Sequence, residues 1–241
     1  MAIETEWWEF REGLVRIRLA ADRNLETRVE QTTDAEALPY WAVIWPSAVA
    51  LGHRLAGSPI LPQRILELGC GSGLAGLVAA ARGSSVTMLD RVGEARERVR
   101  TTAVHNELWV HLPESGDWQE WFPGLRWPLI VGADILYERP QHPGLLAALD
   151  RLLEPPGEVW LVDPGRPQAL DFFSLAERAG WRVELEFEPP PADVPAGGEY
   201  CSAILFVRMT RSSAHGRRRA AEPGQHRLGI LDARSDLGDP L

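Results

Sequence analysis

A short apolar run, Ile65, Leu66 and Leu68, is followed at once by Gly69, Gly71 and Gly73, and then by Leu74, Leu77 and Val78 at helical spacing. The whole stretch reads RILELGCGSGLAG, and a second apolar stretch, SSVTML, ends on Asp90. This spacing predicts a strand, a tight glycine turn, a helix and a second strand. Glycines in the turn let the backbone approach a ligand, and the first turn of the helix offers unpaired N–H groups. Asp90, at the end of the second strand, is placed to accept hydrogen bonds from ribose hydroxyls. The segment therefore implies an α/β unit that holds a nucleoside-containing cofactor.

Residues 71–76 satisfy the dinucleotide pattern G-x-G-x-x-G literally, with an acid about twenty residues on. The larger pattern is Glu67-x-Gly69-x-Gly71-x-Gly73, with Cys70 inside the turn, and it resembles motif I of the seven-strand S-adenosylmethionine (SAM) methyltransferases. A carboxylate near the turn attracts a sulfonium and an ammonium, whereas it repels a pyrophosphate. That contrast favours SAM over a dinucleotide and over a purely structural turn.

Alternation of strand and helix signals continues along the chain. Residues 14–19 alternate apolar and basic side chains, as an amphipathic strand or hairpin does. Residues 38–45, LPYWAVIW, are densely aromatic, and Pro46 and Ser47 open a helix through Ala56. Strands are expected at 64–68, 85–90, 108–112 (weakly), 129–133, 158–162, 182–188 and 201–209. Helices are expected at 74–81, 94–105, 145–153 and 169–179. No helix separates the last two strands, so they should pair antiparallel. The fold class expected is a Rossmann-like, doubly wound α/β sheet of seven strands with an antiparallel terminal pair, and the ligand outside the strands' carboxyl ends. Three regions are expected: a strand or hairpin extension (1–36), the cofactor-binding domain (37–209) and a tail (210–241) whose composition cannot bury a core.

With 241 residues and 45% hydrophobic content, the chain suffices for one such domain with appendages. No apolar run approaches the roughly 18 residues of a membrane span, and the first residues lack a signal peptide's basic and apolar regions. Only Cys70 and Cys201 are present, so no disulfide framework is expected, and the location expected is cytoplasmic. The net charge is −9; six arginines and four acids lie from Thr210 onward, leaving −11 on residues 1–209. Such a body repels nucleic acid and suits a basic protein or cationic substrate. All 25 basic residues are arginine, so the chain cannot methylate lysines of its own. His53, His105 and His111 show no metal-ligand spacing.

Pro39-Tyr40-Trp41-Ala42 running into Trp45-Pro46, the ELGCGSG turn, Asp117-Trp118, and Gly132-Ala133-Asp134-Ile135-Leu136-Tyr137 occur in one order. Over residues 37–208 these segments resemble the family-16 protein-lysine methyltransferases, and most of all the enzymes that modify the electron-transfer flavoprotein β-subunit. The resemblance implies SAM as cofactor and a protein acceptor, such as that subunit or a ribosomal protein. The chain is also expected to be a monomer without a membrane or metal partner, and its charge disfavours nucleic acid. It places Trp45 beside the cofactor, Gly69, Cys70 and Gly71 around its amino-acid end, Asp90 on the ribose, Asp117 and Trp118 at the adenine, and Ala133 near the sulfonium. The other tryptophans are read as core or interface fillers, and Cys70 as a packing residue of the turn.

Asp134 and Tyr137 follow a strand of buried character, at the edge where the transferred methyl group would lie. A lysine of pKa near 10.4 is almost wholly protonated at pH 7, and making it neutral costs about 4.6 kcal/mol. Asp134 is expected to anchor the ammonium and accept its proton, although a carboxylate also raises the amine's pKa. Tyr137 is expected to orient the nitrogen. The structural reading is that Asp134 caps the following segment and Tyr137 packs the sheet edge. Methylation of a small molecule, or SAM binding without catalysis, are the alternatives to a protein methyltransferase.

Overall fold

The computed structural model of the chain describes residues 5–22, 39–194 and 202–211. Its centre is a six-stranded sheet of β3 (Arg64–Leu68), β4 (Ser85–Leu89), β5 (Trp127–Ala133), β6 (Leu153–Asp163), β7 (Trp181–Glu188) and β8 (Ile204–Arg211), in the order β4-β3-β5-β6-β8-β7. Strands β4, β3, β5 and β6 run parallel, while β8 runs antiparallel to both β6 and β7. That terminal pair is the one expected from the missing helix.

Strand alternation divides the sheet into two apolar faces. Ile65, Leu129, Val131 and Val162 face one core, and Leu66, Leu68, Ile130 and Leu161 the other. The first core is covered by α1 (Pro46–Gly57), α2 (Leu74–Ala81) and α3 (Gly93–His105), the second by α4 (His142–Leu152) and α5 (Pro167–Arg178). Proline stands in the first turn of α1, α4 and α5, where its missing N–H costs no helical hydrogen bond.

Strands β1 (Thr5–Glu12) and β2 (Val15–Asp22) form the expected N-terminal hairpin. Phe10, Ile17 and Leu19 are buried in the same core as α1–α3. The hairpin's free backbone edge is closed by Asn106, whose amide accepts from Arg18 N–H (2.9 Å) and donates to Arg18 C=O (2.8 Å).

The weak strand expected at 108–112 contracts to one parallel bridge between Thr87 and His111, held by His111 N–H to Val86 C=O and Met88 N–H to His111 C=O. Glu107 at a φ of 56° ends α3 abruptly. Pro113, without an N–H, follows closely, so too few extended residues remain for a full strand. Strand β8 runs on to Arg211, past the expected boundary at 209, because Arg211 pairs with Asp150 and stacks on Trp181. The arginine-rich tail beyond it lies outside the described residues, as do residues 23–38.

In the parallel part of the sheet, the crossover from β3 runs outward to β4, and the next, from β4, returns past β3 to β5, so the direction reverses between β3 and β5. The carboxyl ends of those strands therefore flank a crevice at the point of reversal.

Candidate active site

The glycine turn closes the crevice at β3. Gly69, Gly71 and Gly73 all have positive φ, at 62°, 48° and 79°, which L side chains rarely adopt. Space excludes a side chain as well. A Cβ on Gly69 would lie 2.6 Å from Ile135 Cγ2 and 3.7 Å from the Trp118 ring, and one on Gly71 would lie 3.3 Å from Trp41 C=O. Gly73 instead faces the core, where a Cβ would strike Val99 at 2.6 Å. It turns the chain into α2 against α3, away from the crevice. Cys70 is buried, its N–H bonded to Leu89 C=O, and burial pushes its thiol pKa well above the usual value.

Asp90 ties the turn to β4. Its Oδ2 accepts from Gly71 N–H and its Oδ1 from Val92 N–H, each at 2.9 Å. Burial raises its pKa, while these two N–H groups and Arg96 favour the carboxylate. Gly116 lies so close beneath that a Cβ there would fall 1.7 Å from Asp90 C=O. The loop carrying Asp117 and Trp118 is thereby pressed onto the end of β4. Asp117 Oδ1 accepts from Gln119 N–H (2.8 Å), which shapes the loop, and Arg151 of α4 donates to Trp118 C=O at 2.6 Å. Trp118 Nε1 is buried without a hydrogen-bond partner. An unpaired buried donor beside a glycine turn fits a ligand that brings an acceptor edge, as a purine does.

On the other flank, the turn Tyr40–Ala42 lies across Gly71, and Trp45 precedes α1 with its Nε1 donating to Tyr40 C=O (3.1 Å). The Trp41 ring is partly buried and stacks under Arg98 at 4.9 Å. Glu67 is turned beneath α2, only 3% exposed, with Oε2 accepting from Gly76 N–H at 3.0 Å. Burial raises its pKa to about 8, with a smaller contribution from Asp90. The attraction to a cationic cofactor expected from sequence requires an ionised Glu67, and at neutral pH this environment favours the proton.

That proton makes a stability prediction. The folded state holds it up to about pH 8, whereas the unfolded state releases it near the ordinary glutamate value of 4.5. The contribution of Glu67 is therefore full below the lower value and is lost as pH rises through the upper one, at about 1.4 kcal/mol per pH unit between them. Glu67→Gln keeps an oxygen for Gly76 N–H and removes the titration. Denaturant midpoints across pH 5–8 should fall less steeply in the variant than in the wild type; parallel curves would show that Glu67 does not titrate there.

At the end of β5, Ala133 pairs with Val162, and Asp134 N–H donates to Val162 C=O at 2.8 Å. Asp134 has a φ of 61°, a left-handed conformation that Asp tolerates better than most residues. Its side chain is 8% exposed and is ion-paired to Arg166, which also reaches Asp163 Oδ2 at 3.4 Å. Burial raises the pKa of Asp134, and the Arg166 guanidinium opposes that rise. Tyr137 is 46% exposed, and burial followed by Glu138 raises its phenol pKa, so it stays a hydrogen-bond donor. Arg166 follows β6 in the segment Asp163-Pro164-Gly165-Arg166, and sequence reasoning missed it. Its only signal was a glycine and an arginine just past a buried strand.

Gly69, Gly71, Asp90, Trp118, Ala133 and Asp134 thus line one continuous edge, formed by the ends of β3, β4 and β5. Among the described residues no group of His, Cys, Asp and Glu is arranged to hold a metal ion, and no helix is long and apolar enough to cross a membrane.

Known proteins resemble this chain in sequence and in fold. The chain is 34% identical over 135 residues to the protein N-lysine methyltransferase METTL21A of Danio rerio, a match covering 52% of this chain and 61% of that one. It is 30% identical over 137 residues to the electron transfer flavoprotein beta subunit lysine methyltransferase of the same species, covering 55% and 53%. The matches thus span less than two thirds of either relative. Among solved structures, the tRNA (uracil-54, C5)-methyltransferase of Pyrococcus abyssi, in complex with S-adenosyl-L-homocysteine, superposes with a TM-score of 0.56. Its identity is 19%, over 85% of this chain and 44% of that one, a likeness of fold. The sequence model of the methyltransferase domain matches residues 45–198, more than half of the chain. With the glycine turn, the Asp90 clamp and the doubly wound sheet on one edge, this chain belongs to the methyltransferase-domain family.

Proposed function

We propose that this chain transfers the methyl group of SAM to a lysine side chain of a protein. The observation that carries the reading is Asp134, a nearly buried carboxylate in left-handed backbone at the end of β5, on the same edge as the glycine turn and Asp90. The lysine methyltransferases among its relatives support the acceptor.

The residues fit the cofactor by their chemistry. Gly69 and Gly71 hold the turn in left-handed backbone at its amino-acid end, Asp90 has lone pairs to spare for ribose hydroxyls, and Trp118, with its unpaired Nε1, flanks the purine. Trp45, Cys70, Asp117 and Ala133 complete the shell through packing and backbone, while Gly73 and Glu67 support it from the α2 side. When bound, SAM supplies a methyl carbon made electrophilic by a sulfonium. The chain's part is to bring a neutral nitrogen to that carbon. Asp134 anchors the ammonium and takes its proton at a carboxylate oxygen, and Tyr137 holds the nitrogen's direction through its hydroxyl.

The electron-transfer flavoprotein β-subunit and ribosomal proteins are the acceptors to try first. We place the enzyme in the cytoplasm and read it as a monomer. Incubation with radiolabelled SAM and host lysate tests the function. A labelled protein yielding methyl-lysine supports it; labelled small molecules alone, or binding without transfer, would overturn it.

Asp90→Ala checks the ribose assignment. Loss of charge-assisted hydrogen bonds should weaken SAM by roughly 1.5–3 kcal/mol. Titration calorimetry reads this directly, and unchanged affinity would remove Asp90 from the site.

A further inference from the structure

An acidic acceptor site faces a difficulty: the carboxylate that binds a lysine ammonium also keeps it charged, and a charged nitrogen has no lone pair to give. In this structure the carboxylate does not stand alone. Arg166 reaches from the segment after β6, pairs with Asp134 Oδ1 and touches Asp163 Oδ2 at 3.4 Å. Backbone geometry fixes both of these carboxylates. Asp163 is fully buried and accepts from Gly165 N–H (2.9 Å) and Arg166 N–H (2.8 Å), so its own side chain sets the turn from which Arg166 returns to the sheet. Asp134 is held by its N–H bond to Val162 C=O, the neighbouring residue of β6.

We propose that Arg166 is a positioning residue of the transfer reaction, whose guanidinium cancels the field of Asp134 at the acceptor and so lets the lysine nitrogen shed its proton. This inference rests on the lysine reading given above. The proton passes from the ammonium to a carboxylate oxygen of Asp134 or to solvent. The nitrogen keeps the electron pair that forms the N–C bond, and the pair of the breaking S–C bond goes to sulfur.

Among the described residues, Arg91 and Asp90 act on Tyr137 from the end of β4, and other charged or titratable groups lie nearer the pair. Asp163 stands on the β6 side, Tyr137 and beyond it Glu138 follow β5, and Ser47 in the first turn of α1 faces Asp134 as a neutral hydroxyl. Without Arg166, the incoming cation would meet the field of Asp134 and Asp163 without the guanidinium that pairs with both. The ammonium would then bind more tightly and ionise later. Without the Asp134 carboxylate, the guanidinium would act alone and the ammonium would ionise earlier. The two partners should therefore move the same limb of the pH profile in opposite directions, which a purely structural ion pair would not do.

The experiment measures kcat against pH at saturating acceptor, because that profile reports groups in the enzyme–substrate complex. The acceptor is the host's electron-transfer flavoprotein β-subunit, or the lysate protein that the wild-type enzyme labels. Arg166→Met should raise the midpoint of the rising limb by about one pH unit or more and lower KM at neutral pH. Arg166→Lys should return the midpoint toward that of the wild type. Asp134→Asn, slower throughout, should lower the midpoint. Melting temperature and SAM affinity are measured on each variant. Should Arg166→Met fail to fold, the Lys and Asn variants still decide, since an unmoved midpoint in Asp134→Asn overturns the proposal. A fall in kcat with no shift in either variant overturns it too, leaving Arg166 a brace for the loop. Absence of methyl-lysine from the wild-type product is a different failure, which removes the acceptor reading and this inference with it.

Discussion

Asp134→Asn should lower turnover by about 100-fold or more while leaving the fold and most of the SAM affinity in place, the scale usual for a positioned base. The backbone makes this substitution unusually clean. Asp134 sits at a φ of 61°, where Asn is at least as comfortable as Asp, so no strain enters with the amide. The N–H bond to Val162 C=O is unaffected, and Arg166 keeps its contact with Asp163. The charge, the proton-accepting oxygen and the charge pairing with Arg166 are lost together, while an amide oxygen remains for the guanidinium to donate to. Asp134→Ala, by contrast, mixes lost chemistry with backbone strain and is the poorer test. Tyr137→Phe should cost less, since it removes one hydrogen bond and keeps the ring. Single-turnover kinetics on the labelled acceptor separate these effects. Normal turnover in Asp134→Asn would return Asp134 to a capping role, and loss of SAM binding would move it to the cofactor.

The second large effect is expected at a residue with no chemistry of its own. In Gly116→Ala the new Cβ would stand 1.7 Å from Asp90 C=O and 2.4 Å from the carbonyl carbon, against backbone that has no rotamer to change. The loop bearing Asp117 and Trp118 must lift, or the end of β4 must move. Overpacking of this kind should cost about 3 kcal/mol or more. For a domain of this size that corresponds to a fall of roughly 6–12 °C in Tm. Because either movement separates Asp90 from Trp118, SAM affinity should drop at least about tenfold, or 1.4 kcal/mol. Thermal melts followed by calorimetry check both parts. A variant that melts and binds like the wild type would mean that the loop is not seated on β4 as described.

Much of this protein is legible along the chain. Residues 64–68 and 74–81 form the strand and helix expected of them, residue for residue, because a buried parallel strand is mostly apolar and a helix on its face must repeat every three to four residues. The antiparallel ending was likewise written in the absence of a helix between β7 and β8. Asp90 and Asp134 could be marked because carboxylates directly after apolar strands in an α/β sheet point to the ligand edge. Local spacing determines all of these.

Other features depend on elements far apart in sequence. The stretch at 108–112 has strand-like residues, yet contributes one bridge, since neighbouring geometry leaves it no length to pair. Glu67 reads as a charge beside the cofactor, and burial under Gly76 makes protonation its favoured state at neutral pH. Gly73 belongs to the same motif as Gly69 and Gly71 but spends its missing Cβ on Val99 of α3. The pairing of Asp134 with Arg166, 32 residues away, has no local signature. A sequence fixes which groups are apolar, charged or small within a few residues of one another, and that suffices for strands, helices and turns. Burial, and therefore ionisation, is set by what the rest of the chain lays on top, so the charge state and partners of the site emerge only when β5, β6 and α1 come together.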